Sequence, residues 1–129
     1  MNFSTKYNTI NNENINEMVI AFYTKVLNED NGVSKVFKEK LGDDISSDLW
    51  QEHIVTLTKF WAMIALQDDE YKGSPLAPHF ALPLKKEMFG EWLLMFFTLI
   101  DSMYAEKQAT LFKTRAEDIA KNFMRVLDL

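Results

Sequence analysis

The chain has two histidines and no cysteine, and the second histidine stands in an unusual frame, Pro78-His79-Phe80-Ala81-Leu82-Pro83. A proline locks φ, removes a backbone donor and biases the residue before it away from the helical region. The bracketing prolines therefore bar this segment from one long regular helix and stiffen it. A histidine held there is oriented by its backbone, which is what a single-point metal ligand requires. Other polar rings sit within helix-forming stretches. His53 stands four residues after Leu49 and four before Leu57, Tyr23 lies beside Phe22, and Trp92 falls within the line Met88, Trp92, Met95, Phe96, Leu99. Residues four apart share a helix face, so these are hydrogen-bonding groups carried on apolar faces. Singly, each has an ordinary explanation: a core histidine bonded to a carbonyl, a loop histidine capping a helix, a boundary tyrosine with a wet hydroxyl, a core tryptophan whose N–H finds a backbone partner.

Most alternative chemistries fall away on residue type. Without cysteine there is no disulfide, no iron–sulfur cluster, no thiolate nucleophile and no Cys-based zinc site, and nothing speaks for secretion. A protein-ligated zinc ion wants three or four side chains, and two histidines leave only carboxylates to complete the set. A di-iron bundle needs paired Glu-x-x-His motifs, but Trp50 and Leu76 occupy the positions three before each histidine. No Gly-rich phosphate loop and no Gly-x-Ser-x-Gly elbow occurs. The run Asp68-Asp69-Glu70 reads as a solvated turn, since a calcium loop needs alternating oxygen ligands around a glycine. The formal charge of −5 gives no electrostatic case for nucleic acid or an anionic membrane.

The elements that must position these residues are helices. At 129 residues, 47% hydrophobic and with ten Phe, the chain has the size and apolar content of one domain with a real core. Residues 1–10 are expected to form a poorly ordered extension. The stretch from Met1 to Asn16 is polar and Asn-rich, unlike a signal peptide. The longest apolar run, Trp92 to Ile100, is well short of the ~20 residues a membrane span needs, so a cytoplasmic location is the expectation. The first helix is predicted over Ile15 to Leu27, with Asn14 as N-cap, Glu17 completing a capping box and a stripe of Ile15, Met18, Val19, Phe22 and Val26. A short helix carries Val33, Val36, Phe37 and Leu41 and is stopped by Gly42. The third is predicted from Asp48, capped by Ser47 or Ser46, to Leu66, with an apolar line of Leu49, Leu57, Phe60, Trp61 and Ile64. After an irregular stretch, Gln67 to Pro83, a fourth runs from Lys85 to Tyr104. It is apolar nearly all round and so is placed at the centre of the fold. The last, Glu106 to Leu127, is expected to bury Phe112, Ala116, Ile119, Phe123 and Leu127. Period-two alternation is nowhere sustained, and the fold class is all-α.

Taken together, one histidine on a stiff segment and a polar trio set into different apolar helix faces imply a cavity that needs hydrogen-bond donors. A flat apolar cofactor fits between the third and fourth helices, its metal held by one histidine and its other side facing the trio. In its ordered spacing the chain resembles the truncated haemoglobins of the third group, single-domain bacterial globins. The residues that carry the likeness are Phe22-Tyr23, Trp50-Gln51-Glu52-His53 leading to Phe60-Trp61, Tyr71 with Gly73, Pro75 and Leu76, His79 with Leu82-Pro83, and Glu91-Trp92-Leu93, spread from Ile10 to Leu127. As in that group, and unlike other truncated globins, no Gly-Gly pair marks the helix junctions.

The resemblance implies a shortened globin fold, a two-over-two helical sandwich enclosing haem b. It implies His79 as proximal ligand to the haem iron, Tyr23, His53 and Trp92 on the distal side, and Phe37, Leu57, Trp61 and Leu82 packed on the porphyrin. The implied ligands are O2, CO, NO or peroxide, with an unidentified electron donor and a monomer or weak dimer. A neutral imidazole binds metal through one ring nitrogen, and the other is expected to donate to a backbone carbonyl and fix the tautomer. Each donor facing a charged ligand in a dry pocket contributes about 1–3 kcal/mol. Three such donors exceed what an oxygen carrier wants. They suit oxygen, peroxide or nitric-oxide chemistry, such as a nitric oxide dioxygenase- or peroxidase-like activity. The alternatives are a haem-based gas sensor or store without turnover, and a cofactor-free helical interaction domain.

Overall fold

The computed structural model describes residues 6–71 and 82–129. The described chain forms five helices: α1 (Asn12–Asn28), α2 (Gly32–Leu41), α3 (Asp48–Leu66), α4 (Lys86–Met103) and α5 (Glu106–Val126). Among the described residues no strand forms; one isolated parallel bridge links Tyr7 to Tyr104. Of the frame around His79, residues 78–81 lie outside the described residues, while Leu82 and Pro83 are described.

α1 packs against α2, α3 and α4, while α4 also packs on α2 and α5. The inner face of α1 is the expected stripe: Ile15, Met18, Val19, Phe22 and Val26 are each 1% exposed or less. Its start differs from the expectation. The helix begins at Asn12 with Asn11 as N-cap, and Asn14 rather than Glu17 closes the capping box, with Asn14 N–H donating to Asn11 Oδ1 at 2.8 Å and Asn11 N–H to Asn14 Oδ1 at 3.1 Å. Several asparagines in a row can each cap a helix. A distant residue decides between them: Tyr104 donates its hydroxyl to the buried Asn14 Oδ1 at 2.8 Å, which pulls position 14 inward. Tyr7 ties the leading segment to the α4–α5 corner, donating to Met103 O and accepting from Ala105 N, each at 2.8 Å.

α2 ends at Gly42, whose φ of 85° is open to a residue without Cβ. α3 runs over the predicted span with Ser47 as N-cap, accepting from Trp50 N–H. Its apolar line is displaced from the expected one. Leu49 is 57% exposed, and Trp50 is fully buried in its place, donating its indole N–H to Gly42 O at 2.8 Å. Trp50, Ile54 and Trp61 form the buried edge, at helical spacing. In a first turn holding Leu and Trp side by side, burial of the larger ring removes more apolar surface from water, and Gly42 supplies its acceptor.

α4 lies within a shell of neighbours, but its apolar circumference is not all buried. Met95, Phe96 and Ile100 face the core, while Leu94 is 70% exposed. On α5 the buried side is Ala109, Phe112, Ala116, Ala120 and Phe123, with Ile119 and Leu127 only half-buried. Alanines at the contact let α5 approach α4 closely. Aromatic rings lock the layers together: Phe22 meets Phe96 edge-on at 5.4 Å, and Trp61 stacks on Phe96 at 5.1 Å. Such pairs add about 0.5–1.5 kcal/mol each beyond their burial. Among the described residues no helix is long and apolar enough to cross a membrane.

Candidate functional site

A cavity of about 330 Å³ opens between α2, α3, α4 and α5. That is the size range of small-molecule and cofactor sites. Every singled-out residue that is described reaches it: Tyr23 from α1, Phe37 from α2, His53, Leu57 and Trp61 from α3, Leu82 ahead of α4, and Trp92 from α4. His79 lies outside the described residues. The helix spacing explains the convergence. His53, Leu57 and Phe60 are separated by four and then three positions, so one face of α3 lines the space while Trp50 and Ile54 face the core.

The donors sit on one wall. Tyr23 is 5% exposed. Burial pushes its phenol far above the ordinary value, and a hydrogen bond from Trp92 offsets a small part of that. An indole has one N–H and no acceptor, so Trp92 donates and the Tyr23 oxygen accepts. A phenol oxygen that accepts in this way still has its own proton to donate. His53 is caged by rings: Tyr23 edge-on at 5.4 Å, Trp50 edge-on at 5.5 Å and Phe37 at 6.2 Å. Trp92 in turn stacks on Phe96 at 5.0 Å and meets Phe22 at 5.3 Å, which fixes its plane.

Several residues that shape the site were given no site role from the sequence, although Trp50 and Glu91 carried part of the family likeness. Trp50 braces both Tyr23, at 5.4 Å, and His53 without lining the cavity as they do. Glu91 reaches from α4 to the start of α2, accepting from Val33 N–H at 3.0 Å and Gly32 N–H at 3.4 Å. A carboxylate there satisfies first-turn donors and complements the helix dipole, so α2 and its Phe37 are fixed relative to Trp92. α5 contributes Ile119, Ala120 and Phe123, and Met88 and Phe89 close the α4 side. Lys40 and Thr56 line the cavity from exposed positions. The periodicity of α5 marked Phe123 as buried; nothing local tells a core contact from a cavity wall.

No protein-family model matches this chain. It is 33% identical over 123 residues to the group 3 truncated hemoglobin ctb of Campylobacter jejuni, covering 95% of this chain and 94% of that protein. The crystal structure of a group III truncated hemoglobin from Campylobacter jejuni superposes with a TM-score of 0.83, at 30% identity and over 95% of both chains. An all-α sandwich around an apolar cavity with hydrogen-bonding rings on one wall is a globin architecture. The chain belongs to the group 3 truncated haemoglobins.

Proposed function

We propose that this protein binds haem b in the cavity between α2, α3, α4 and α5 and uses it to bind O2 and related small ligands. The observation that carries the reading is the convergence of Tyr23, His53 and Trp92 on one wall of a mostly apolar cavity. The residues present fit the group: rings and aliphatic chains for the macrocycle, donors on one side for a ligand. His79, on its proline-bracketed segment, would hold the iron, with Phe37, Leu57, Trp61 and Leu82 against the macrocycle. When bound, haem supplies a site for a diatomic or peroxide ligand and a means of electron exchange.

The chain's own residues then do the rest. Tyr23 donates its hydroxyl proton to negative charge gathered on a ligand, because its oxygen is already engaged by the Trp92 indole. A phenol whose ionisation is suppressed by burial remains a neutral donor throughout the physiological range. Trp92 holds Tyr23 in that orientation. His53, braced by Trp50 and Phe37, gates access. The apolar remainder excludes water, which strengthens the donor interactions. Strong stabilisation of a charged ligand favours O2, peroxide or nitric-oxide chemistry over bulk transport, with electrons from a separate donor. Visible spectra of the ferric, ferrous and CO-bound protein test this. A Soret band that shifts on CO binding is expected, and a purified protein that takes up no haem refutes the reading.

A further inference from the structure

The rings that wall the cavity continue through the protein. Trp92 and Trp61 both line it, and both stack on Phe96, at 5.0 Å and 11° and at 5.1 Å and 15°. Trp61 then meets Phe112 at 5.8 Å, Phe112 meets Tyr104 at 4.9 Å, and Tyr104 meets Tyr7 at 5.9 Å. Tyr7 is 38% exposed. A continuous file of ring contacts thus joins the cavity to solvent. Tryptophan and tyrosine give up an electron far more readily than phenylalanine does. Along this file a single phenylalanine ring separates Trp92 from Trp61 and Trp61 from Tyr104, a gap electrons tunnel across easily.

The two tyrosines differ in one chemically decisive respect. An oxidised phenol is strongly acidic and must pass its proton to a base. Tyr104 is buried and donates to the Asn14 side-chain amide oxygen, which cannot keep a proton. The phenol of Tyr7 is open to water and lies close enough to the Glu17 carboxylate to be raised by it, and that carboxylate can. Oxidation therefore comes to rest at Tyr7. The backbone bonds from Tyr7 to Met103 and Ala105 hold it against Tyr104. The chain has no cysteine to intercept oxidising equivalents on the way.

We propose that this file is a protective electron relay, carrying oxidising equivalents from the cavity to Tyr7, with Glu17 as proton acceptor, for quenching by a soluble one-electron reductant of the ascorbate class. The inference rests on the haem reading above and takes an organic or hydrogen hydroperoxide as oxidant. Reduction of one hydroperoxide to an alcohol and water, or to two waters, consumes two electrons and two protons. Each electron drawn from the cavity-side tryptophans is replaced along the file from Tyr7, whose phenolic proton passes to Glu17. The reductant supplies an electron to the Tyr7 radical, and Glu17 returns the proton. Two passes supply the two electrons; the two protons taken up at the cavity are matched by two that the reductant releases.

The test treats haem-loaded ferric protein with hydrogen peroxide and a nitroso spin trap, then locates adducts by peptide mass spectrometry while the Soret band is followed. Adduct on Tyr7 is expected, falling several-fold in Glu17→Gln. In Tyr7→Phe, several-fold more haem should be bleached per peroxide consumed when ascorbate is present. Both Tyr7 and Glu17 are exposed, so neither variant threatens the core. Adducts confined to Tyr23 or Tyr71, or bleaching indifferent to Tyr7→Phe, overturn the relay while leaving haem binding intact. A protein without a Soret band overturns both.

Discussion

Replacing Tyr23 by phenylalanine removes one hydroxyl and almost no volume, so its consequences follow from hydrogen bonding alone. The ring stays packed between Phe22, Phe37, Trp50 and His53, whose centroids lie 4.9–5.4 Å away. What disappears is the hydroxyl proposed as the ligand's donor, together with the acceptor of the Trp92 N–H. A hydrogen bond to a charged partner contributes about 1.5–3 kcal/mol. O2 gathers negative charge in such a site and CO far less. If the whole loss falls on dissociation, O2 release from the Tyr23→Phe variant accelerates roughly ten- to 150-fold. The freed Trp92 N–H can turn to the ligand, which sets the lower end of that range. Trp92→Phe should do less, because it removes what holds the Tyr23 donor rather than the donor itself. Stopped-flow displacement of O2 by CO, together with flash photolysis of the CO form, measures both rates. Equal acceleration of O2 and CO would mean that the residue acts by bulk, and the donor assignment would fail.

His79→Ala should abolish or greatly weaken haem binding, since no cysteine is present to replace it; retention of the wild-type ferrous spectrum and haem content would exclude it as the ligand. His53→Leu should leave a five-coordinate ferrous spectrum and change mainly the CO association rate; split low-spin bands in the wild type that vanish in the variant would make His53 an iron ligand instead of a gate. Burial raises the Tyr23 phenol, and the group is neutral in the fold while the unfolded chain ionises it from about pH 10. The proton is therefore bound more tightly by the folded state, and its contribution to stability is present below that pH and is lost as pH rises above it. The unfolding free energy from urea titrations should fall above about pH 10, the slope from this group approaching about 1.4 kcal/mol per pH unit by pH 11, with a shallower slope in Tyr23→Phe. Asn14→Ala breaks the α1 capping box and strands the Tyr104 hydroxyl, which should cost about 2–3 kcal/mol of stability, read from the thermal midpoint.

Much of the fold is local and was legible for that reason. Helical periodicity located α1 to α5, Gly42 and Ser47 marked ends that the backbone uses, and the polar rings on apolar faces marked the described cavity residues. The ordered spacing of those rings also carried the likeness to the third group of truncated haemoglobins, because a cavity of fixed size needs its lining residues at fixed helical phase. The remainder was decided by partners far away in sequence. Asn11, not Asn14, caps α1 because Tyr104 requires Asn14 inside. Trp50, not Leu49, enters the core because Gly42 offers its indole an acceptor. Glu91 reads as an ordinary helix-surface carboxylate until α2 brings its free first-turn N–H groups alongside. Sequence states which groups can donate, accept or pack. Which of them meet is settled only when helices separated by tens of residues come together, since hydrogen bonds and ring contacts act over a few ångströms and leave no local trace.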